Sequence, residues 1–341
     1  MNLWRRTLDP PRPAATAPAA EPGPAPRRWI ARRRERSAAT APRPSRPWLH
    51  LLLFALTLFS AAAAGAMQRG VNPLQSPGAL VHLVEGLPFA ATLLGILAIH
   101  EFGHYFAARR WGVRATLPYF MPLPYSFLGT VGAVIRIQSP IPHKRALLDI
   151  GAAGPLAGLA VATAACLVGL PRSEIVDPAY FDAALRGEPI QLGAPLLFSW
   201  LSGWLLPAAG PEKMVLLGPV AFAGWVGLFI TAFNLLPVGQ LDGGHIVYAL
   251  FGRWHRLLGR VTFAALLALG AYGIFSLVWD LPQGWLGWLV LAFLLTLFGR
   301  RHPPPLNPYM PLDPWRRGIG IVCLVVFALC FTPAPFSILV S

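Results

Sequence analysis

Residues 91–112 read ATLLGILAIHEFGHYFAARRWG, an apolar stretch interrupted by His100, Glu101 and His104 and closed by Arg109 and Arg110. At 3.6 residues per turn, positions four apart share one face of a helix, so both imidazoles can reach a single metal ion. Neutral imidazole suits Zn2+. Glu101, one residue on, can take a proton from a coordinated water whose pKa zinc lowers to about 7. The plain alternative is a pair of buried histidines hydrogen-bonded to neighbouring helices. Ionisable groups in an apolar helix are costly and usually functional, and three together rarely arise for packing.

The rest of the chain says where that helix lies. Of 341 residues, 55% are apolar and 12% charged, about half the charged fraction of an ordinary soluble domain. A water-soluble globule is therefore excluded, and the long apolar blocks exclude a collagen-like or wholly disordered chain. The net charge of +14 is almost all arginine, Lys144 and Lys213 being the only lysines. Residues 1–47 hold eleven of the arginines against Asp9, Glu21 and Glu35. The excess is local, so no nucleic-acid partner is expected. Cys166, Cys323 and Cys330 all sit in apolar runs, which fits neither a disulfide framework nor a cysteine-built zinc site.

Residues 1–47, rich in Arg, Pro and Ala, cannot bury enough surface to offset ordering and are expected to form a disordered cytosolic tail. The run Ala61–Ala66 imitates a signal-cleavage site, but its long charged approach favours a spanning helix. Seven segments reach or approach the roughly 20 apolar residues that a crossing needs: 48–67, 84–108, 146–170, 214–236, 257–279, 284–299 and 318–339. With alternate crossings from a cytosolic N-terminus, the arginine-rich flanks at 109–114, 144–145, 253–260, 300–301 and 316–317 all fall inside. The acidic 171–213 loop falls outside. The expected fold is an all-α polytopic membrane protein of about seven spanning helices with a short membrane-associated β-hairpin. The hairpin is read from residues 113–138, apolar but broken by Pro118, Pro122, Pro124, Gly129 and Gly132, and such backbone survives at membrane depth only when protein or water covers it. Residues 191–209 read as an interfacial helix on the outer face anchored by Trp200 and Trp204.

A catalytic zinc wants a third protein ligand and an open position. Tail and outer-loop acids are too remote, and Glu85 lies about 22 Å along the same helix. Asp149, Asp242 and Asp313 remain. Asp149 opens the third helix, where a carboxylate favours the N-terminus, and Asp313 reads as solvated among prolines. Asp242 lies in Asn234–His245, NLLPVGQLDGGH, where Pro237 disturbs the helix and Gly243 and Gly244 relax steric limits around the carboxylate. A helix-terminating turn explains the proline and glycines but not an acid in apolar surroundings. His245 reads as a residue at the cytosolic boundary rather than as support for a ligand.

HEFGH in one helix and NLLPVGQLDGG in a later one resemble the two signatures of the site-2 protease family of intramembrane zinc metalloproteases. The run from Leu117 to Gly158 is similar to its bacterial branch, and the resemblance covers roughly residues 80–255. It implies a catalytic core of three helices in which His100, His104 and Asp242 bind Zn2+ and Glu101 is the general base. It also implies that Asn234 holds the substrate backbone or steadies the developing oxyanion. Gly151, Gly154 and Gly158 match its close-packing helix and independently read as small-residue packing. The 171–213 loop is too short for the PDZ domain many members carry, and nothing after residue 300 resembles a CBS domain.

The domain expectation is thus a tail, 1–47, and a membrane domain, 48–341, with a core about 80–255 and accessory helices 257–341. The expected activity is zinc-dependent hydrolysis of a peptide bond within or near a transmembrane helix of a membrane-protein substrate, in the lipid bilayer. Phe127–Ala133 is the candidate edge for an unwound substrate strand. A zinc-binding transporter and a proteolytically inactive substrate holder are the alternatives; no inverted repeat supports transport. Arginine-heavy, lysine-poor usage points to a GC-rich prokaryote, hence to a multi-pass protein of the cytoplasmic membrane, and leaves its oligomeric state open.

Overall fold

The computed structural model describes residues 46–177, 190–206, 213–279, 281, 284–298 and 304–338; the expected tail lies outside them, apart from its last two residues. In chain order the elements are α1 (Pro47–Gln68), α2 (Leu83–Arg110), β1 (Tyr119–Pro122), β2 (Thr130–Val134), α3 (Lys144–Gly169), β3 (Glu174–Val176) and β4 (Ile190–Leu192). There follow α4 (Leu196–Leu205), β5 (Met214–Leu216), α5 (Pro219–Asn234), α6 (Asp242–Phe251), α7 (His255–Val278), α8 (Gly287–Phe298), α9 (Pro314–Cys330) and β6 (Phe336–Ile338).

Helices α2, α3 and α5 pack on one another at the centre, with α1 laid on α2 and α6 on α3. Small residues set these distances. The buried run Ser60–Ala66 of α1 meets Gly86 of α2, where a Cβ would stand 1.8 Å from the Ala62 carbonyl oxygen. Helix α5 is the most enclosed, with Ala221, Ala223, Trp225, Val226 and Leu228 fully buried. Proline at its first position suits the helix start. Its end follows from Pro237, since the residue before a proline is pushed out of the helical region.

Four helical stretches are long and apolar enough to cross a membrane: Pro47–Gln68, Pro77–Arg110, Lys144–Arg172 and Asp242–Val278. The chain is a multi-pass membrane protein of mostly helical build. The other three segments read as spans come out shorter. Residues 214–236 divide at Gly218–Pro219 into β5, paired antiparallel with β3, and the 16-residue α5. The 284–299 segment holds the 12-residue α8. In 318–339 the helix stops at Cys330 and, beyond Pro333 and Pro335, β6 pairs with β4. Apolar composition alone cannot separate a buried strand from a helix turn. The interfacial 191–209 segment begins in β4 and forms α4 only over Leu196–Leu205, with Trp200 and Trp204 exposed; residues 207–209 lie outside the described residues.

Strands β1 and β2 pair antiparallel from Tyr119 opposite Val134 to Pro122 opposite Thr130, with an irregularity after Met121. Helix α1 holds this pair along its length. His50 Nδ1 stands 3.0 Å from the Pro118 carbonyl. Ser60 Oγ donates to Gly129 O at 2.6 Å and Gln68 Nε2 to Phe127 O at 2.7 Å. The proposed edge Phe127–Ala133 is thereby corrected: Phe127–Gly129 belong to the connecting turn, bound back to α1, and the strand itself is Thr130–Val134, with Val131 and Val134 exposed.

Two acids read from sequence prove to be partners of one arginine. Arg316 donates to both Asp149 oxygens, at 2.9 and 2.8 Å, and to Asp313 Oδ2 at 2.5 Å. Trp111 Nε1 also donates to Asp149, at 3.0 Å, and the Arg316 guanidinium lies over the Trp111 ring. Asp313 is therefore not a free solvated carboxylate; it caps α9 by accepting from the Arg316 amide. That amide and then the guanidinium hold its carboxyl below the ordinary range.

Gly86→Val should lower thermal stability in detergent, read by circular dichroism, by about 1–3 kcal/mol or more through overpacking. Gly95→Ala, in the same helix with open space around it, should leave stability unchanged or slightly raised.

Candidate metal centre

His100 and His104 sit one turn apart on the buried face of α2, 3% and 7% exposed. Their Nε2 atoms lie 3.1 Å from each other. Asp242 Oδ2 stands 3.5 Å from His100 Nε2 and 3.2 Å from His104 Nε2. Among the described residues this is the one group of three or more His, Cys, Asp or Glu whose ligand atoms converge within 4.8 Å. Bonds of 2.0–2.2 Å in tetrahedral geometry put ligand atoms roughly 3.3–3.6 Å apart. The three atoms therefore already stand near the spacing that one zinc-sized ion requires.

His104 and Asp242 are each aimed by their neighbours. His104 Nδ1 lies 2.7 Å from the Ile150 carbonyl, which fixes the proton on Nδ1 and leaves Nε2 as the lone-pair donor. Asp242 reaches the site because α5 stops at Asn234 and α6 starts at Asp242 itself. The turn between them is tight: a Cβ on Gly243 would stand 2.0 Å from the Leu235 oxygen. In the first turn of α6 the carboxylate also meets the positive end of the helix dipole.

Glu101 is 7% exposed and accepts a hydrogen bond from the Ile135 amide at 2.7 Å through Oε2. Asn234 Nδ2 lies 3.3 Å from His100 Nε2. All five residues singled out from the sequence thus gather in one place: three as converging donors, Glu101 beside them on α2, and Asn234 at the end of α5. Asp149 and Asp313 stay outside, on Arg316. His245 is not at an open boundary. Its Cβ lies 3.0 Å from where a Cβ on Gly151 would be, in the contact between α6 and α3.

Four contributors escaped the sequence reading. The Ile135 amide and the Ile150 carbonyl are backbone atoms and carry no side-chain signature. Gly154 was visible, but as a helix-packing residue. A Cβ there would stand 2.1 Å from His104 Nε2, and one at Gly158 3.0 Å from His100 Nδ1. The small-residue stripe of α3 is the wall against which both imidazoles lie.

A sequence model of peptidase family M50 matches residues 88–277. The chain is 32% identical over 322 residues to a protein of Oryza sativa subsp. japonica named "Probable zinc metalloprotease EGY1, chloroplastic", covering 87% of this chain and 53% of that one. The Arabidopsis thaliana protein of the same name is 31% identical over 320 residues, 87% of this chain and 56% of the relative. "Probable zinc metalloprotease EGY2, chloroplastic" of Oryza sativa subsp. indica is 32% identical over 266 residues, 74% of this chain and 44% of its own. The chain spans about half the length of these curated relatives.

Gly154→Ala should weaken zinc retention against a competing chelator by about tenfold or more, because the added methyl displaces the His104 ring. Gly158→Ala, with more room, should cost less.

Proposed function

Because the chain belongs to peptidase family M50, the site-2 proteases, we propose that it is a zinc-dependent intramembrane endopeptidase. Its site would be His100, His104 and Asp242 as metal ligands, Glu101 as general base and Asn234 as a substrate-positioning amide. The observation that carries this reading is the convergence of two imidazole nitrogens and one carboxylate oxygen at 3.1–3.5 Å. Its donor set, two neutral nitrogens and one anionic oxygen, suits zinc and leaves a fourth position for water or substrate.

Zinc bound there would supply Lewis acidity toward a peptide carbonyl and a lowered pKa for attacking water. The protein's own part begins with Glu101. The Ile135 amide fixes one carboxylate oxygen and leaves the other to accept the water proton and return it to the leaving amine. Once His100 Nε2 is given to a metal it can no longer accept from Asn234. The amide, 3.3 Å away, is then free to donate to the substrate carbonyl oxygen as charge develops on it. A helical substrate satisfies its own amides and must unwind before attack. The exposed side of β2 offers main-chain groups to an unwound strand without demanding a sequence. The same strand leads directly into Ile135, so pairing there would present the substrate backbone beside the base.

The substrate class is a membrane protein with a transmembrane helix. We read α5, α8 and α9 as further membrane segments, giving seven from a cytosolic N-terminus, with the β1–β2 pair at membrane depth on the cytosolic side. The placing of arginines supports that orientation. Residues of about 80–255 form the catalytic core, 257–341 the accessory part and 1–47 a cytosolic tail. The relatives are named chloroplastic; the arginine-heavy, lysine-poor composition favours a prokaryotic cytoplasmic membrane for this chain.

Purified full-length protein reconstituted with a single-span substrate tests the reading. The wild type should cleave it in a chelator-sensitive way. Glu101→Gln should keep its zinc, measured by elemental analysis, and lose cleavage by about 10²–10⁴-fold. Asp242→Ala should lose both. Full cleavage by Glu101→Gln refutes the assignment of the base, and zinc flux without cleavage refutes the protease.

A further inference from the structure

A cavity of about 680 Å³ lies between the turn that leads into Asp242 and the start of α7. Its lining includes Val238 and Gly239 of the turn, Gly244 and Tyr248 of α6, and Arg256 and Arg260 of α7. The two arginines are four residues apart on α7 and so share a helix face. Both are exposed. Arg260 Nε donates to the Arg256 carbonyl at 3.3 Å, which lays its side chain back along the helix toward its neighbour.

Among the described residues no carboxylate lines this cavity and no ion pair joins Arg256 or Arg260 to an acid. Two guanidiniums on one face repel each other unless an anion lies between them. Their fork geometry matches a phosphate, which each can bind through two parallel hydrogen bonds. The depth of the site follows from the residues beside it. Trp254 is 55% exposed and Arg253 lies 5.8 Å over its ring, an aromatic–cation pairing suited to the membrane–water interface. Further along α7, Leu257 and Val261 are exposed as a lipid-facing surface would be. The arginines therefore stand at headgroup level, with apolar surface next to them for the attached glycerol and acyl chains.

We propose that this cavity binds the phosphate of an anionic phospholipid headgroup between Arg256 and Arg260. The bound headgroup braces the turn that presents Asp242. That turn has no slack of its own, since a Cβ on Gly244 would stand 2.4 Å from the Gly239 oxygen. The site depends on the chain lying in a bilayer and not on its being a protease, so the two can fail separately.

Native mass spectrometry of the full-length protein, titrated with phosphatidylglycerol or phosphatidylcholine, tests it. One phosphatidylglycerol should be retained in clear preference to phosphatidylcholine. The double variant Arg256→Ala/Arg260→Ala should weaken it about tenfold, and Arg256→Gln or Arg260→Gln alone about threefold. The variant Arg110→Ala/Arg114→Ala removes the same charge from exposed sites elsewhere and should change binding less than about twofold. Equal loss in both double variants would mean general electrostatic attraction and overturn the site, as would equal retention of the two lipids. The single glutamine variants keep the test decisive if the alanine pair fails to fold: unchanged phosphatidylglycerol binding in both overturns the site. Displacement by inorganic phosphate at matched concentration would show a soluble anion to be the ligand and overturn the lipid assignment.

Discussion

An aspartate from one helix and two histidines from another must bring their donor atoms to little more than 3 Å in the interior of a membrane protein. Three negative or lone-pair groups that close are unfavourable without a cation, and burial raises the cost because water cannot screen them. The groups around the site hold that unfavourable proximity in place. Ile150 turns one imidazole, the glycines of α3 admit both, and the broken helix between α5 and α6 delivers the carboxylate head-on. A fold stabilised only by apolar packing would have no reason to assemble such a group, which is why the arrangement reads as chemistry rather than as core.

The parts legible from sequence were those with a period or a chemical type. His100 and His104 share a face because helix geometry says so, and Asp242 stood out because an acid sat beside Pro237 in apolar surroundings. The long helices α1, α2 and α3 followed from unbroken apolar length. The failures have equally specific causes. Met214–Leu216 is apolar and Phe336–Ile338 carries one serine, both are short, and only their partners, β3 and β4, make them strands. Asp313 lay among prolines, a context that cannot show that Arg316 would fold back on it. Nothing in a sequence marks the amide of Ile135, since its role arises from where β2 ends.

Gly154 teaches a narrower lesson. A stripe of small residues on a spanning helix ordinarily means that another backbone comes close. Here α2 does come close, but at two of those positions the space is filled by imidazole rings. Tight packing of the helices and the aim of the two imidazoles are the same steric fact, and a substitution that harms one harms the other.

Helix α1 has a further meaning. It precedes residue 88, where the family match begins, yet it satisfies carbonyls at Pro118, Phe127 and Gly129 through His50, Gln68 and Ser60. The His50–Pro118 contact is buried, and its loss would cost that carbonyl a hydrogen bond away from water; the Gly129 carbonyl also accepts from the Leu123 amide. Helix α1 and the strand pair are in this sense one interlocked unit: a change confined to either would unmake contacts that neither can restore by itself.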